Sequence, residues 1–181
     1  MKDLPQRLCQ TALLMLLGMS AAHAEDSLIT WPGDWEVQAV PSSDPASTGT
    51  STTVRQRGVK NDANGDPLMV MELSRSALQP SHQVNLPGVL LEMRKALQIN
   101  FVRRGFMSVC TRIHDSHLGN LPAAETTCKI TQNGSLVMTQ TLVAATSNGM
   151  AYALSYAGSV EGYKAVEAEV QGIRAGLRLG Q

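Results

Sequence analysis

The chain has 181 residues, 43% of them hydrophobic, with 15 basic and 15 acidic side chains and a formal charge of zero. That length suits one domain with a real core, not two. The balanced charge supplies no field to gather nucleic acid or an anionic membrane surface, so neither is expected as a partner.

Residues 1–24 have the form of an export signal. Lys2 and Arg7 give a basic start, Leu13–Leu17 an apolar run, and Ala22-His23-Ala24 a small-x-small cleavage site. The run is too short to span a bilayer as a stable helix. Cys9 precedes it, the wrong place for a lipid-attachment cysteine. Cleavage after Ala24 is therefore expected, leaving Glu25–Gln181 as an exported protein without membrane span or lipid anchor, periplasmic or released to the medium. Losing Lys2, Arg7 and Asp3 takes the formal charge to −1, and losing Cys9 leaves Cys110 and Cys128.

Residues 25–34 are expected to be a flexible lead-in, and 35–181 a single domain. Trp31-Pro32-Gly33-Asp34 predicts a turn. Trp35, Val37 and Ala39 then alternate with Glu36 and Gln38 in a short strand anchored by Trp35. Pro41–Ser51, rich in Ser, Thr, Pro and Gly, predicts a mobile loop. Thr52–Lys60 and Pro67–Ser76 predict a hairpin about Asn64–Gly65, with Met69, Met71 and Leu73 on one face. Arg55 and Arg57 share a face of its first strand, where solvated edge-strand charges are the expected role.

Asn85-Leu86-Pro87 opens a helix, with Asn85 as cap and Pro87 in the first turn, where its missing N–H costs nothing. Leu86, Leu90, Met93, Leu97 and Phe101 form its buried stripe. Arg103 and Arg104 fall in the last turn, and Gly105 supplies a left-handed exit.

Phe106–Ala157 predicts four consecutive antiparallel strands. The chain reverses near Gly119, in a loop His114–Pro122, so strand 106–113 runs back along strand 124–132. That register sets Cys110 opposite Cys128, at a separation a cross-strand disulfide can span. Two separate buried thiols remain the alternative, which an oxidising compartment disfavours. Asn133–Gly134 and Asn148–Gly149 make two-residue turns into strands 135–145 and 150–157, because Asn and Gly tolerate positive φ. In the last strand Ala151, Ala153, Ser155 and Ala157 form a small face, and Met150, Tyr152, Leu154 and Tyr156 a large one.

A second helix runs from its cap Ser159 to about Leu177, with Tyr163, Val166, Val170, Ile173 and Leu177 in step. Gly162, Gly172 and Gly176 permit close approach to a sheet. The helix is expected on the small face, leaving the Tyr152 and Tyr156 face covered by other elements or open as a binding groove. Segregated helices on an antiparallel sheet make the domain α+β.

Motifs for chemistry are sparse. Asp62, Asn64 and Asp66 have the spacing that opens a calcium loop, but Pro67 and Leu73 occupy its Gly and Glu positions, so a polar turn is expected. His114, Asp115 and His117 could offer zinc two imidazoles and a carboxylate, although a turn is a poor scaffold for them. Neither Gly134-Ser135 nor Gly158-Ser159 belongs to a nucleophile elbow. No catalytic residue, metal or cofactor is expected.

The order of elements resembles the superfamily of PsbP, the extrinsic photosystem subunit, and its bacterial relatives. The helix Asn85–Arg104, the Asn-Gly turns at 133–134 and 148–149, and the closing run Gly149–Tyr156 with its following helix carry that likeness. The chain is also similar to an uncharacterised family of small secreted bacterial proteins with one disulfide. The resemblance implies an antiparallel sheet with two main helices in a PsbP-like α/β/α sandwich. It also implies a non-catalytic role, binding or docking another protein, and it transfers no site residues. The expectation is an exported binding or adaptor protein, with action on other cells or host tissue open. The alternative is a small metal-dependent hydrolase using His114, Asp115 and His117.

Overall fold

Eight antiparallel strands form one sheet in the computed structural model of the protein, which describes residues 29–40, 53–80 and 83–180. The export signal, the start of the lead-in and the Pro41–Ser51 loop lie outside the described residues. The strands are β1 (Trp35–Ala39), β2 (Thr53–Asn61), β3 (Pro67–Ala77), β4 (Met107–Cys110), β5 (His114–Leu118), β6 (Leu121–Gln132), β7 (Ser135–Ser147) and β8 (Met150–Ser159). Helix α1 (Leu86–Val102) lies between β3 and β4, and α2 (Val160–Gly176) follows β8. The sheet order is β1-β2-β3-β8-β7-β6-β4, with β5 also paired to β6. The α+β class and the α/β/α sandwich are as the sequence predicts.

Local chemistry sets the turns and caps. Asn133 and Gly134, like Asn148 and Gly149, take positive φ, as a type I′ hairpin requires. Asp62 Oδ1 accepts the N–H groups of Asn64 and Asp66, so the acidic trio closes the β2–β3 turn. The Asn85 side chain accepts the Gly88 N–H at 3.2 Å to cap α1, and the Ser159 hydroxyl accepts the Gly162 N–H at 3.0 Å to cap α2.

The register Cys110↔Cys128 holds, and the two sulfurs are bonded. The expected loop His114–Pro122 is instead a strand. β5 pairs with β6 from His114↔Glu125 to Leu118↔Leu121, and the reversal is the two-residue turn Gly119–Asn120. Its polar composition mimics a loop because β5 is an edge strand with His114, Asp115 and His117 exposed. Arg57 also needs correcting: β1 pairs with β2 from Gln56 to Lys60, and Arg57 donates to Glu72 of β3 at 2.6 Å, whereas Arg55 lies beyond that pairing and is exposed.

The helices lie on opposite faces. Leu90, Leu86, Met93 and Leu97 of α1 pack on Ala124, Leu142 and Ala144. Helix α2 sends Val166, Val170 and Ile173 into the larger core with Met69, Met71, Leu73, Tyr152, Leu154 and Tyr156. α2 thus covers the Tyr face of β8, not the small face expected for it. A stripe of large side chains gains most by burying other large ones. Of the three glycines credited with close approach, only Gly162 makes it. A Cβ there would sit 2.3 Å from the Leu68 carbonyl oxygen of β3, whereas Gly172 and Gly176 face open space.

Candidate functional site: an apolar groove beside helix α1

With α2 on the Tyr side, the small side of β8 is left to α1, which covers only part of it. α1 contacts β4, β6 and β7, while no described element packs across the β8 and β3 part of that face. Register places Ala151, Ala153 and Ser155 of β8 beside Ser76, Ser74 and Glu72 of β3 and beside Thr146, Ala144 and Leu142 of β7. Directly opposed residues point to the same side of a sheet, so the short ones, Ser74, Ser76, Ala144, Thr146, Ala151 and Ala153, form a recessed floor. Leu86, Val89 and Met93 of α1 make one wall, and Leu78 and Val84 of the β3–α1 connection another. The result is a largely apolar cavity of about 630 Å³. Val89, on that wall, stays 39% exposed.

Beyond Met93 the groove continues as a second cavity of about 480 Å³, lined by Leu97, Phe101, Leu142, Ser155, Gln140 and Arg104. Its apolar wall is the other half of the α1 stripe. Its polar groups gather at the far end, where Gln140 Nε2 donates to Ser155 Oγ at 2.9 Å. Arg104 lies just past the helix end, exposed, and has no carboxylate partner among the described residues.

The remaining polar clusters are satisfied from within. Arg174 of α2, 6% exposed, donates Nε and Nη2 to the His117 carbonyl at 2.8 and 2.6 Å. The same Nη2 reaches Ser116 Oγ and Glu125 Oε2, each at 2.7 Å. Burial pushes the Glu125 carboxyl up, but hydrogen bonds from Arg174 and Ser116, with the Arg174 charge, more than offset it. Its pKa ends below the ordinary carboxylate value. Lys60 binds Asp34 and Glu169, and Trp35 Nε1 donates to Glu169 at 2.7 Å. Tyr163 Oη meets Thr141 Oγ1 at 2.7 Å, which in turn meets Thr127 Oγ1 at 2.8 Å. Burial holds the Tyr163 phenol well above its usual range, against the opposing pull of the Thr141 bond, so it stays neutral. These groups pin α2 and β5 to the sheet.

The sequence-predicted residues fall elsewhere than the groove. The alternation of β5 puts His114 on the α2 side with Glu125, and Asp115 and His117 on the other. Strand geometry therefore splits the trio, and among the described residues no three His, Cys, Asp or Glu side chains are grouped to hold a metal. Tyr152 and Tyr156, offered as a binding face, are 4% and 1% exposed beneath α2. The Tyr152 hydroxyl accepts the Gly180 N–H at 3.2 Å, and the Tyr156 hydroxyl accepts Gln171 Nε2 at 3.1 Å. Of the groove residues, Ser74, Val89, Met93, Ala144 and Ala153 carry no site signal of their own in the sequence, and Arg104 reads there as a favourable charge at the helix C-terminal end, not as part of an anion site. The available signal was the run of alternate small residues on β8.

An antiparallel sheet with one helix on each face is the PsbP-like α+β arrangement. Cyanobacterial PsbP (CyanoP) from Synechocystis sp. PCC 6803 has a similar solution structure, with a TM-score of 0.58 and 8% identity over 83% of this chain and 84% of that one. LpqN, described as involved in cell envelope biogenesis of Mycobacterium tuberculosis, aligns with a TM-score of 0.46 and 19% identity over 81% and 78%. Residues 26–179 match the family described as Domain of unknown function (DUF4946), and the chain belongs to it. No curated protein matches the sequence. Among the described residues no helix is long and apolar enough to cross a membrane.

Proposed function

We propose that this is an exported, non-catalytic binding protein and that the groove beside α1 is where it binds. The groove carries the reading. Its floor of short side chains leaves room that a well-packed domain would fill, and its wall keeps Val89 partly in water. A concave, largely apolar site with a few polar groups at one end is the usual form of a ligand site. Export is supported by the leader-like residues 1–24 and by the Cys110–Cys128 pair, which suits an oxidising compartment. The buried ionic groups support a structural role for themselves, since each already has its partners.

A neutral apolar dye, N-phenyl-naphthylamine, tests the groove directly, because its emission rises when it leaves water. The wild-type protein should take it up saturably. Ala153→Phe should fill the floor and weaken uptake at least tenfold while the protein unfolds at an unchanged temperature. Equal uptake by a folded Ala153→Phe protein would place binding elsewhere and reject the reading.

A further inference from the structure

The two halves of the groove differ in chemistry, and that difference specifies a ligand. We infer that the groove takes an anionic single-chain amphiphile, its acyl tail along Val89 and Met93 and its head at Arg104; this rests on the groove being the binding site.

The shape favours a chain. The α1 wall from Leu86 to Phe101 is about 23 Å long at a rise of 1.5 Å per residue. One acyl tail is about 15 Å long, half the hydrocarbon thickness of a bilayer, so tail and head together fit that length. The 630 Å³ half is walled by Leu86, Val89 and Met93 over Ala144, Ala151 and Ala153. Of the polar groups that also line it, Ser74 donates to the Ala153 carbonyl, Ser76 is hydrogen-bonded to Thr53 and Asn85 caps α1, which leaves Gln83, Glu92 and Thr146 too few to pair an extended backbone. An extended peptide would leave backbone N–H and C=O groups unpaired there, whereas an acyl chain carries none.

Charge sets the direction. Arg104 closes the 480 Å³ half and has no carboxylate partner among the described residues, while Gln140 and Ser155 add polar groups beside it. The opposite half carries Glu92, exposed and 4.0 Å from Lys95, which disfavours an anion there. A carboxylate or phosphate head is therefore directed to Arg104, which donates in a planar fork suited to either.

Competition against bound N-phenyl-naphthylamine separates this inference from the reading beneath it. Palmitate and palmitoyl-lysophosphatidylglycerol should displace the dye, and monopalmitoylglycerol should do so about two- to fivefold less well, the worth of one exposed charge contact. Displacement by either anion supports the inference, and the tighter of the two names the head. Arg104→Gln should remove the preference for the anion, Arg104→Lys should restore most of it, and Arg103→Gln, next door but outside the groove, should leave it intact. Equal displacement by monopalmitoylglycerol, or an unchanged preference in Arg104→Gln, overturns the inference. Dye uptake that no amphiphile displaces overturns it while leaving the groove as a binding site. Failure of dye uptake removes both.

Discussion

The Arg174–Glu125 pair is the sharpest test of how the sandwich is held together. Arg174 is the only charged residue among the buried side chains of the described chain, and its side chain and that of Glu125 are 7% and 14% exposed. Arg174→Met removes four hydrogen bonds, two of them to the His117 carbonyl, and strands a carboxylate next to α2. Breaking a buried pair from one side costs about 3–5 kcal/mol. At about 2–4 °C per kcal/mol for a domain of this size, the low end alone lowers Tm by about 6–12 °C. Adding Glu125→Leu should recover most of that, because an apolar replacement of the whole pair is close to neutral. The unrecovered part, about 1 kcal/mol, belongs to the His117 carbonyl.

The same pair has a pH signature. In the wild-type protein the Glu125 carboxyl is lowered, so its contribution is complete above its ordinary value of 4.5 and disappears as pH falls through the lower folded value. In Arg174→Met, burial without the guanidinium raises that carboxyl, and protonation relieves the penalty as pH falls. Urea unfolding should therefore show the largest gap between wild type and variant near pH 7 and a smaller one near pH 4. A cost under 1 kcal/mol at pH 7, no recovery in the double variant, or a gap that widens on acidification would refute the reasoning.

Three further outcomes follow from the fold. Cys110→Ala with Cys128→Ala opens a loop between positions 18 apart and should lower stability by about 3 kcal/mol in urea, matched by reduction of the wild-type protein. Gly162→Ala places a Cβ 2.3 Å from the Leu68 carbonyl, flanked by backbone on both sides, and should cost about 1–3 kcal/mol. Gly172→Ala on the open side of the same helix should instead gain up to about 1 kcal/mol, so equal effects at the two sites would contradict the packing of α2. N-terminal sequencing of the full chain expressed in an exporting bacterium should begin at Glu25, and an intact Met1 in the cytoplasmic fraction would reject the export signal.

Much of the scaffold is legible in the sequence because local chemistry fixes it. Asn133-Gly134 and Asn148-Gly149 can hardly be anything but primed turns, and Asn85 and Ser159 cap helices whose stripes are plain. The turn at Gly119–Asn120 alone would set Cys128 opposite Thr111, and the break between β4 and β5 shifts the register by one residue to bring Cys110 there. What sequence could not give is sidedness. Strand β8 has two regular faces, and period-two alternation does not say which one a helix will cover. That depends on Tyr152 and Tyr156 finding partners in Gly180 and Gln171, 28 and 15 positions away. Strand β5 was hidden for a related reason, since an edge strand with exposed His and Asp has the composition of a loop. The groove is a consequence of both. It exists because α2 took the large face of β8, and so its residues carry no signal until the layers are assigned.

Backbone amide NMR of the wild-type protein titrated with palmitate tests the central claim most directly. The groove predicts shifts confined to Ser74, Val89, Met93, Ala144, Ala153 and the amides around Arg104. Shifts centred instead on Val166 and Val170 of α2, or on His114 and His117 of β5, would contradict it.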